Sequence, residues 1–168
     1  YHIVKIYREA YGIFASNGIL FNHESPLRGL EFVTRKITNA VGKIKSGFEK
    51  KLKLGNLESA RDWGYAPEYV EAMWLILQQS KADDYVISTN ETHSVQEFVE
   101  EALAAAGMDW EKYVEVDELL KRPKDVVHLR GDNSKAKEIL NWQPKVKFKK
   151  LVKISSVPTF YLRHGVTK

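Results

Sequence analysis

Apolar residues near the start of the chain recur at helical intervals. Ile3, Val4, Tyr7 and Tyr11 repeat every three to four positions, and Gly12 stands where a left-handed C-cap would close the helix. No Ser, Thr, Asp or Asn precedes the run to cap its start, so it reads as the end of a helix whose beginning is absent. Gly18-Ile19-Leu20-Phe21 follows as a short apolar strand and breaks into the polar cluster Asn22-His23-Glu24-Ser25, before Pro26 and Gly29 turn the chain. From Phe32 to Ile44 the period is again helical, with Val33, Ile37, Val41 and Ile44 on one side and Lys45-Ser46-Gly47 ending the element. Lys51-Leu52-Lys53-Leu54-Gly55 alternates as a half-exposed strand does. Pro67 is placed like a first-turn residue of the next helix, whose expected apolar face is Tyr69, Val70, Met73, Trp74 and Leu77.

The second half continues the alternation. Tyr85-Val86-Ile87-Ser88 reads as a strand, and Ser94-Val95-Gln96-Glu97 is a capping box that opens a helix ended by Gly107. Val95, Phe98, Val99 and Leu103 form the buried stripe of that helix. Tyr113–Val116 is a further strand leading into 119–130, and Asp132 starts a short helix with Ala136, Ile139 and Leu140 inward, closed by Trp142-Gln143-Pro144. Strands alternating with helices put the chain in the α/β class. Within it, Ser16–Lys36 runs from strand end through turn to helix start, the place where open α/β sheets bind ligands.

Composition removes several classes. With 168 residues and 43% hydrophobic content the chain can hold a core. It has no Cys, so neither disulfides nor thiolate metal sites are possible. Five scattered His residues (His2, His23, His93, His128, His164) lack helical pairing, so no metal is expected. No apolar run approaches a membrane span and no signal peptide opens the chain, which makes a cytoplasmic protein the expectation. Asn90-Glu91-Thr92 fits the glycosylation pattern, which has no meaning without a secretory context. The net charge is +4, yet the residues after Trp142 carry seven basic side chains and no acidic one, leaving Tyr1–Trp142 at −3. The excess is a basic tail, which reads as a solvated end and not as a nucleic-acid surface. Neither a P-loop nor a GxSxG elbow occurs.

Arginine grips phosphate best, because its planar fork donates two hydrogen bonds to one group. Arg61 and Arg122 stand at junctions between loops and elements; from position alone, phosphate grip and a structural ion pair (Arg61 with Asp62 or Glu58) are equally open. Lys36, a turn into its helix, is a third cation. His23 follows a strand end, where a lone His is more often packed than functional.

Three stretches carry a family resemblance: SNGILFNHESPLRGLEFVTRK (Ser16–Lys36), NLESARDWGYAPEYVEAMW (Asn56–Trp74), and the closing pattern of KRPKDVVHLR, Gly131-Asp132 and Asn141-Trp142-Gln143-Pro144. Together they resemble the GDP-mannose 4,6-dehydratases, a sugar-nucleotide branch of the extended short-chain dehydrogenase/reductases, over Tyr1–Ile154. The resemblance implies the C-terminal part of such a fold: the last Rossmann strands and helices plus the substrate-binding region, at 1–154. Ser155–Lys168 falls outside it and is expected to be poorly ordered.

For the whole enzyme the resemblance implies NADP-dependent conversion of GDP-mannose to GDP-4-keto-6-deoxymannose by a homo-oligomer, dimer or tetramer. It assigns Arg61, Arg122 and Lys36 to the phosphates of GDP-mannose, and Asn17 and Asp125 to the same sugar nucleotide. His23 and Arg28 map onto residues that contact NADP, while Leu27 stands where the family usually has a second basic residue. Tyr1-His2-Ile3-Val4-Lys5 spells the YxxxK of the wider family, but it aligns eight residues beyond the catalytic pair, a shift of about 12 Å along a helix. The catalytic residues and the Gly-rich dinucleotide cradle are therefore expected upstream of Tyr1, and the chain alone is expected to be inactive. Two further readings stand beside this one. Another sugar-nucleotide epimerase or dehydratase would share the closing pattern, and a non-catalytic sugar-nucleotide binding module would bind without turnover.

Overall fold

The computed structural model describes residues 1–121, 124 and 126–160, with side chains described to residue 156. In chain order the first half consists of α1 (His2–Tyr11), β1 (Gly18–Leu20), β2 (Asn22–Glu24), α2 (Val33–Lys45), β3 (Leu52–Leu54), β4 (Ala60–Arg61), β5 (Trp63–Tyr65) and α3 (Ala66–Leu77). The second half adds β6 (Tyr85–Ile87), β7 (His93–Ser94), α4 (Val95–Ala105), α5 (Trp110–Tyr113), β8 (Val114–Val116), a 3-10 turn (Glu118–Leu120), α6 (Ser134–Leu140) and α7 (Phe148–Phe160). Among the described residues no helix is long and apolar enough to cross a membrane. The chain divides into two compact units, each discontinuous in sequence.

The first unit comprises Tyr1–His23, Asp62–Thr92 and Arg130–Val146. Its sheet is the parallel pair β1 and β6, in register Gly18 to Tyr85, Ile19 to Val86 and Leu20 to Ile87. Against it α3 and α6 close a core of Tyr69, Ala72, Ile76, Tyr85, Ile87, Ala136, Leu140 and Trp142. Gly64 lets the Tyr69 ring lie flat on the backbone, since a Cβ there would come within 2.3 Å of it. As the sequence requires, Gly12 ends α1 in the left-handed region at φ 64°. α6 ends on Asn141, also left-handed at φ 51°.

The α3 face differs from expectation. Tyr69, Ala72 and Ile76 are its buried residues, whereas Val70, Met73, Trp74 and Leu77 are exposed. The helix carries two apolar stripes, and the spacing Tyr69-Ala72-Ile76 is the one that turns to the sheet. In α6, likewise, Ala136 and Leu140 are buried but Ile139 lies outward.

The second unit comprises Glu24–Arg61, His93–Leu129 and Lys147–Lys168. β3 pairs parallel with β8, with Leu52 opposite Val114 and Leu54 opposite Val116. Leu52 and Leu54 are buried and Lys53 exposed, as the alternation predicts. β4 and β7 form a short antiparallel pair. The body is a packed set of α2, α4 and α7, with Ile37, Val41, Phe98, Val99, Leu103, Leu151 and Val152 sealed from solvent. The capping box at Ser94 is complete: its hydroxyl accepts from the Glu97 N–H at 3.0 Å and the Glu97 carboxylate accepts from the Ser94 N–H at 2.6 Å.

Two boundaries shift. A helical turn, α5, takes in Tyr113, so the strand begins at Val114. More consequentially, α7 continues to Phe160 and buries Ser155 and Ser156, so the helix runs past residue 155. The two serines continue the stripe of Leu151 and Val152, and their small side chains lie flush; the Ser156 hydroxyl donates back to the Val152 carbonyl at 2.8 Å. The remainder of the expected tail, 161–168, lies outside the described residues.

Candidate functional site

In the second unit the site elements follow from the turn after β2. The Ser25 carbonyl accepts from the Arg28 N–H at 3.1 Å and its hydroxyl from the Leu27 N–H at 3.1 Å, closing the turn before Phe32 caps α2. Arg28 is thereby held with its guanidinium 3.6 Å above the Phe32 ring and its Nε 3.5 Å from the buried Glu24 carboxylate. Glu24 also accepts from the Thr34 hydroxyl at 2.6 Å, which locks the carboxylate against the first turn of α2. One residue further on, Arg35 has an Nη1 that is sealed from solvent and has no hydrogen-bond partner. A buried, unanswered donor on a cation is costly and calls for an acceptor.

Lys36 stands on the neighbouring position of α2 and lines a cavity of about 300 Å³ with Leu30, Asn39, Ala40, Glu49, Lys51, Leu52 and Lys53. Lys36, Lys51 and Lys53 line it beside Glu49; Glu49 is paired with Lys43 at 2.6 Å and Lys51 with Glu115 at 3.5 Å. Arg61 is not among the residues that line this cavity. Its Nη1 donates instead to the carbonyls of Ala60 and Val126, so β4 and the stretch after residue 125 hold the guanidinium in place. Arg122 and Asp125 lie outside the described residues.

In the first unit Asn17 is tied to Asp84. Its Nδ2 donates to Asp84 Oδ1 at 2.7 Å and its backbone N–H to the same oxygen at 3.1 Å. Arg8 completes the clasp with two hydrogen bonds to the same carboxylate, at 2.9 and 3.0 Å, and these hold Asp84 far below the usual carboxylate range despite the opposing effect of burial. Asn17 therefore has a structural duty that fixes where its carboxamide points. His23 accepts a definite tautomer: Nδ1 lies 2.9 Å from the Phe21 carbonyl and must carry a proton to donate to it. Its ring packs 5.4 Å from that of Tyr69, which is itself edge-on to Trp142 at 5.9 Å. Positioned by packing and by a backbone bond, the ring presents Nε2 as its remaining polar atom.

Two residues have surroundings that sequence reasoning did not give them. Arg35 precedes Lys36, the cation that the sequence singles out a turn into the helix. Asp62, wholly buried, accepts from the Thr89 N–H and hydroxyl, the Asn90 N–H and the Gly131 N–H at 2.7–3.2 Å. It joins three separate stretches of the first unit, which no local pattern announces. The Lys5 ammonium lies 4.0 Å from Glu9, and Tyr1 is exposed ahead of α1.

Comparison with known proteins gives one consistent answer. A sequence model of the family described as GDP-mannose 4,6 dehydratase matches residues 1–155. GDP-mannose 4,6 dehydratase 2 of Arabidopsis thaliana is 61% identical over 148 residues, which cover 88% of this chain and 40% of that protein. GDP-mannose 4,6 dehydratase of Homo sapiens is 49% identical over 170 residues, covering 91% of this chain and 46% of that protein. The chain thus spans less than half the length of these curated relatives. Among solved structures, RMD from Pseudomonas aeruginosa complexed with NADPH superposes with a TM-score of 0.86 at 17% identity, over 95% of this chain and 52% of that one. At that identity the likeness establishes the fold.

Proposed function

The chain belongs to the GDP-mannose 4,6-dehydratase family, and from that premise we propose that it supplies the sugar-nucleotide grip, with part of the cofactor contact, of an NADP-dependent GDP-mannose 4,6-dehydratase. The observation that carries the proposal is the 61% identity with the Arabidopsis thaliana relative across 88% of this chain. The whole reaction removes hydride from C4 of the mannose and a proton from C5, expels water from C6 and returns the hydride there. When bound, NADP supplies the hydride exchange.

This chain's residues bind and orient. Lys36, in its lysine-rich cavity, and Arg61, fixed by two backbone carbonyls, are proposed contacts of the GDP-mannose phosphates, with Arg122. Asn17 and Asp125 are proposed contacts of the same sugar nucleotide. His23 and Arg28 are proposed contacts of NADP. Arg28 is stacked on Phe32 and paired with Glu24, and the sealed Arg35 Nη1 beside that turn lacks an acceptor. The working protein on this reading is a cytoplasmic homo-oligomer.

Titration calorimetry with GDP-mannose tests the substrate half. Lys36→Glu and Arg61→Met should each weaken binding about tenfold or more, the loss expected for one charge-assisted phosphate contact. Equal affinity of both variants and the parent chain would exclude the assignment.

A further inference from the structure

The loop from α1 to β1 is pinned at three consecutive residues. The Ala15 carbonyl accepts from Arg8 Nη1 at 3.0 Å, the Ser16 hydroxyl from the Asp83 N–H at 3.2 Å, and the Asn17 carbonyl from the Tyr85 N–H at 2.9 Å. The donors belong to α1 and to the stretch that enters β6, so Asn17 sits on a rigid base. Asp84 then fixes its side chain. One oxygen, Oδ1, accepts from the Asn17 N–H at 3.1 Å and from Asn17 Nδ2 at 2.7 Å, while Arg8 donates to both carboxylate oxygens. Arg8 and Asp84 are themselves largely buried. An ionised carboxylate has no proton to give, so the carboxamide has to turn its NH2 toward Asp84. The Tyr1 carbonyl, 3.5 Å from the same Nδ2, is also an acceptor only. A flipped carboxamide would set its oxygen against both. Asn17 Oδ1 is thereby left with no hydrogen-bond donor among the described residues.

We propose that Arg8 and Asp84 are positioning residues that hold the Asn17 carboxamide with Oδ1 outward, as an acceptor for a hydroxyl group of the sugar nucleotide. The inference deepens the grip proposed above and rests on it. A phosphate oxygen at neutral pH accepts and does not donate, so an amide turned this way matches a hydroxyl and not the pyrophosphate. The phosphates suit cations such as Lys36 and Arg61. Holding the acceptor in place before the ligand arrives spares the cost of ordering it on binding. Hydroxyls of the hexose and of the ribose meet the same requirement, and the choice of ligands separates them.

Titration calorimetry on the purified full chain compares GDP-mannose, GDP, and GDP lacking both ribose hydroxyls. Asn17→Ala should weaken GDP-mannose binding about three- to tenfold, the worth of one neutral hydrogen bond. A loss confined to GDP-mannose puts the donor on the hexose; a loss shared by GDP but not by its dideoxy form puts it on the ribose. An equal loss with the dideoxy form, which has the phosphates and neither set of hydroxyls, overturns the proposal. Asp84→Leu should reproduce the Asn17→Ala loss, and the double variant should bind no more weakly than Asn17→Ala alone, because Asp84 acts through Asn17. Asp84→Asn should restore most of the affinity: three donors converge on the place of Oδ1, so the amide oxygen of the new side chain settles there. Lys135→Met, which breaks the neighbouring ion pair with Asp83, should leave the affinity unchanged. Losses that add up in the double variant would make Asp84 purely structural and overturn the positioning. If circular dichroism shows Asp84→Leu to be unfolded, Arg8→Met, which unanchors the carboxylate, takes its place in the cycle. Equal binding of GDP-mannose by the parent and Asn17→Ala chains overturns this inference alone. A parent chain that binds none of the three ligands overturns the proposed grip along with it.

Discussion

Asp62 is wholly buried and Arg35 is half-buried with its Nη1 sealed, and the two are opposite in their accounts. Asp62 meets four donors and is satisfied, so it reads as architecture; Arg35 has a sealed Nη1 that meets none. An unanswered charged donor costs the protein stability, and a bound phosphate would supply the acceptor it lacks. Arg35→Met is therefore expected to leave the melting temperature of the ligand-free chain unchanged or to raise it, while weakening NADP or GDP-mannose binding by about tenfold to a hundredfold. Calorimetry with each ligand, beside thermal melts without ligand, separates this from a structural role. A variant that melts lower and binds both ligands normally would refute it. Neither residue was legible in the sequence. Their significance lies in what surrounds them after folding: Gly131 and Thr89 reach Asp62 from 69 and 27 positions away. The candidate cations Lys36 and Arg61 were legible by type and by their place at element ends, but their setting was not, since the Lys36 cavity does not include Arg61.

Elements show where periodicity suffices. α2, α4 and the β3 alternation came through because each has one apolar stripe and a clear stop, and the capping box at Ser94 formed as its spacing requires. α3 misled for the opposite reason: with two apolar stripes, periodicity cannot say which one a unit buries. The end of α7 was set aside because the resemblance stops at Ile154, yet Ser155 and Ser156 continue the buried face of Leu151 and Val152. Truncation after Ile154 is expected to remove that buried end of α7 and lower the urea stability of the second unit, on the order of 1–2 kcal/mol, the usual cost of exposing a packed helical turn. No change in midpoint would restore the reading of 155–168 as a loose tail. The clasp of Arg8 and Asn17 on Asp84 joins α1 to the chain just before β6, and it depends on pH. Asp84 titrates lower in the folded chain than unfolded, so its stabilising effect is complete above the unfolded value of about 4 and is lost as pH falls below it. Asp84→Asn should flatten the loss of stability between roughly pH 4 and pH 2 and lower the stability at neutral pH. Melting curves across that range give the answer, and parallel pH profiles for parent and variant would count against the clasp.

At the scale of the whole molecule, the pairing of β1 with β6 and of β3 with β8 was beyond the sequence, because each joins strands more than sixty residues apart and no turn fixes their register. The α/β class was legible, and the family carried the rest. What the chain contains also sets what it can do alone. Catalysis of this reaction requires the nicotinamide held over C4, a Tyr at that hydroxyl and a base near C5. Positioning such groups supplies roughly 7–11 kcal/mol of barrier lowering, and proton transfer a further 10²–10⁴-fold. The Lys5 ammonium lies 4.0 Å from Glu9, Tyr1 is exposed, and no Gly-rich cradle for a dinucleotide occurs in the sequence. Incubated with NADP and GDP-mannose, the chain by itself should form no 4-keto product, even at concentrations where GDP-mannose binds. Following that product by absorbance or mass spectrometry, with the Tyr1→Phe variant in parallel, makes the expectation sharp. Turnover that vanishes in Tyr1→Phe would show Tyr1 to be the acid/base after all, and turnover that persists in it would place the chemistry on residues assigned here to binding.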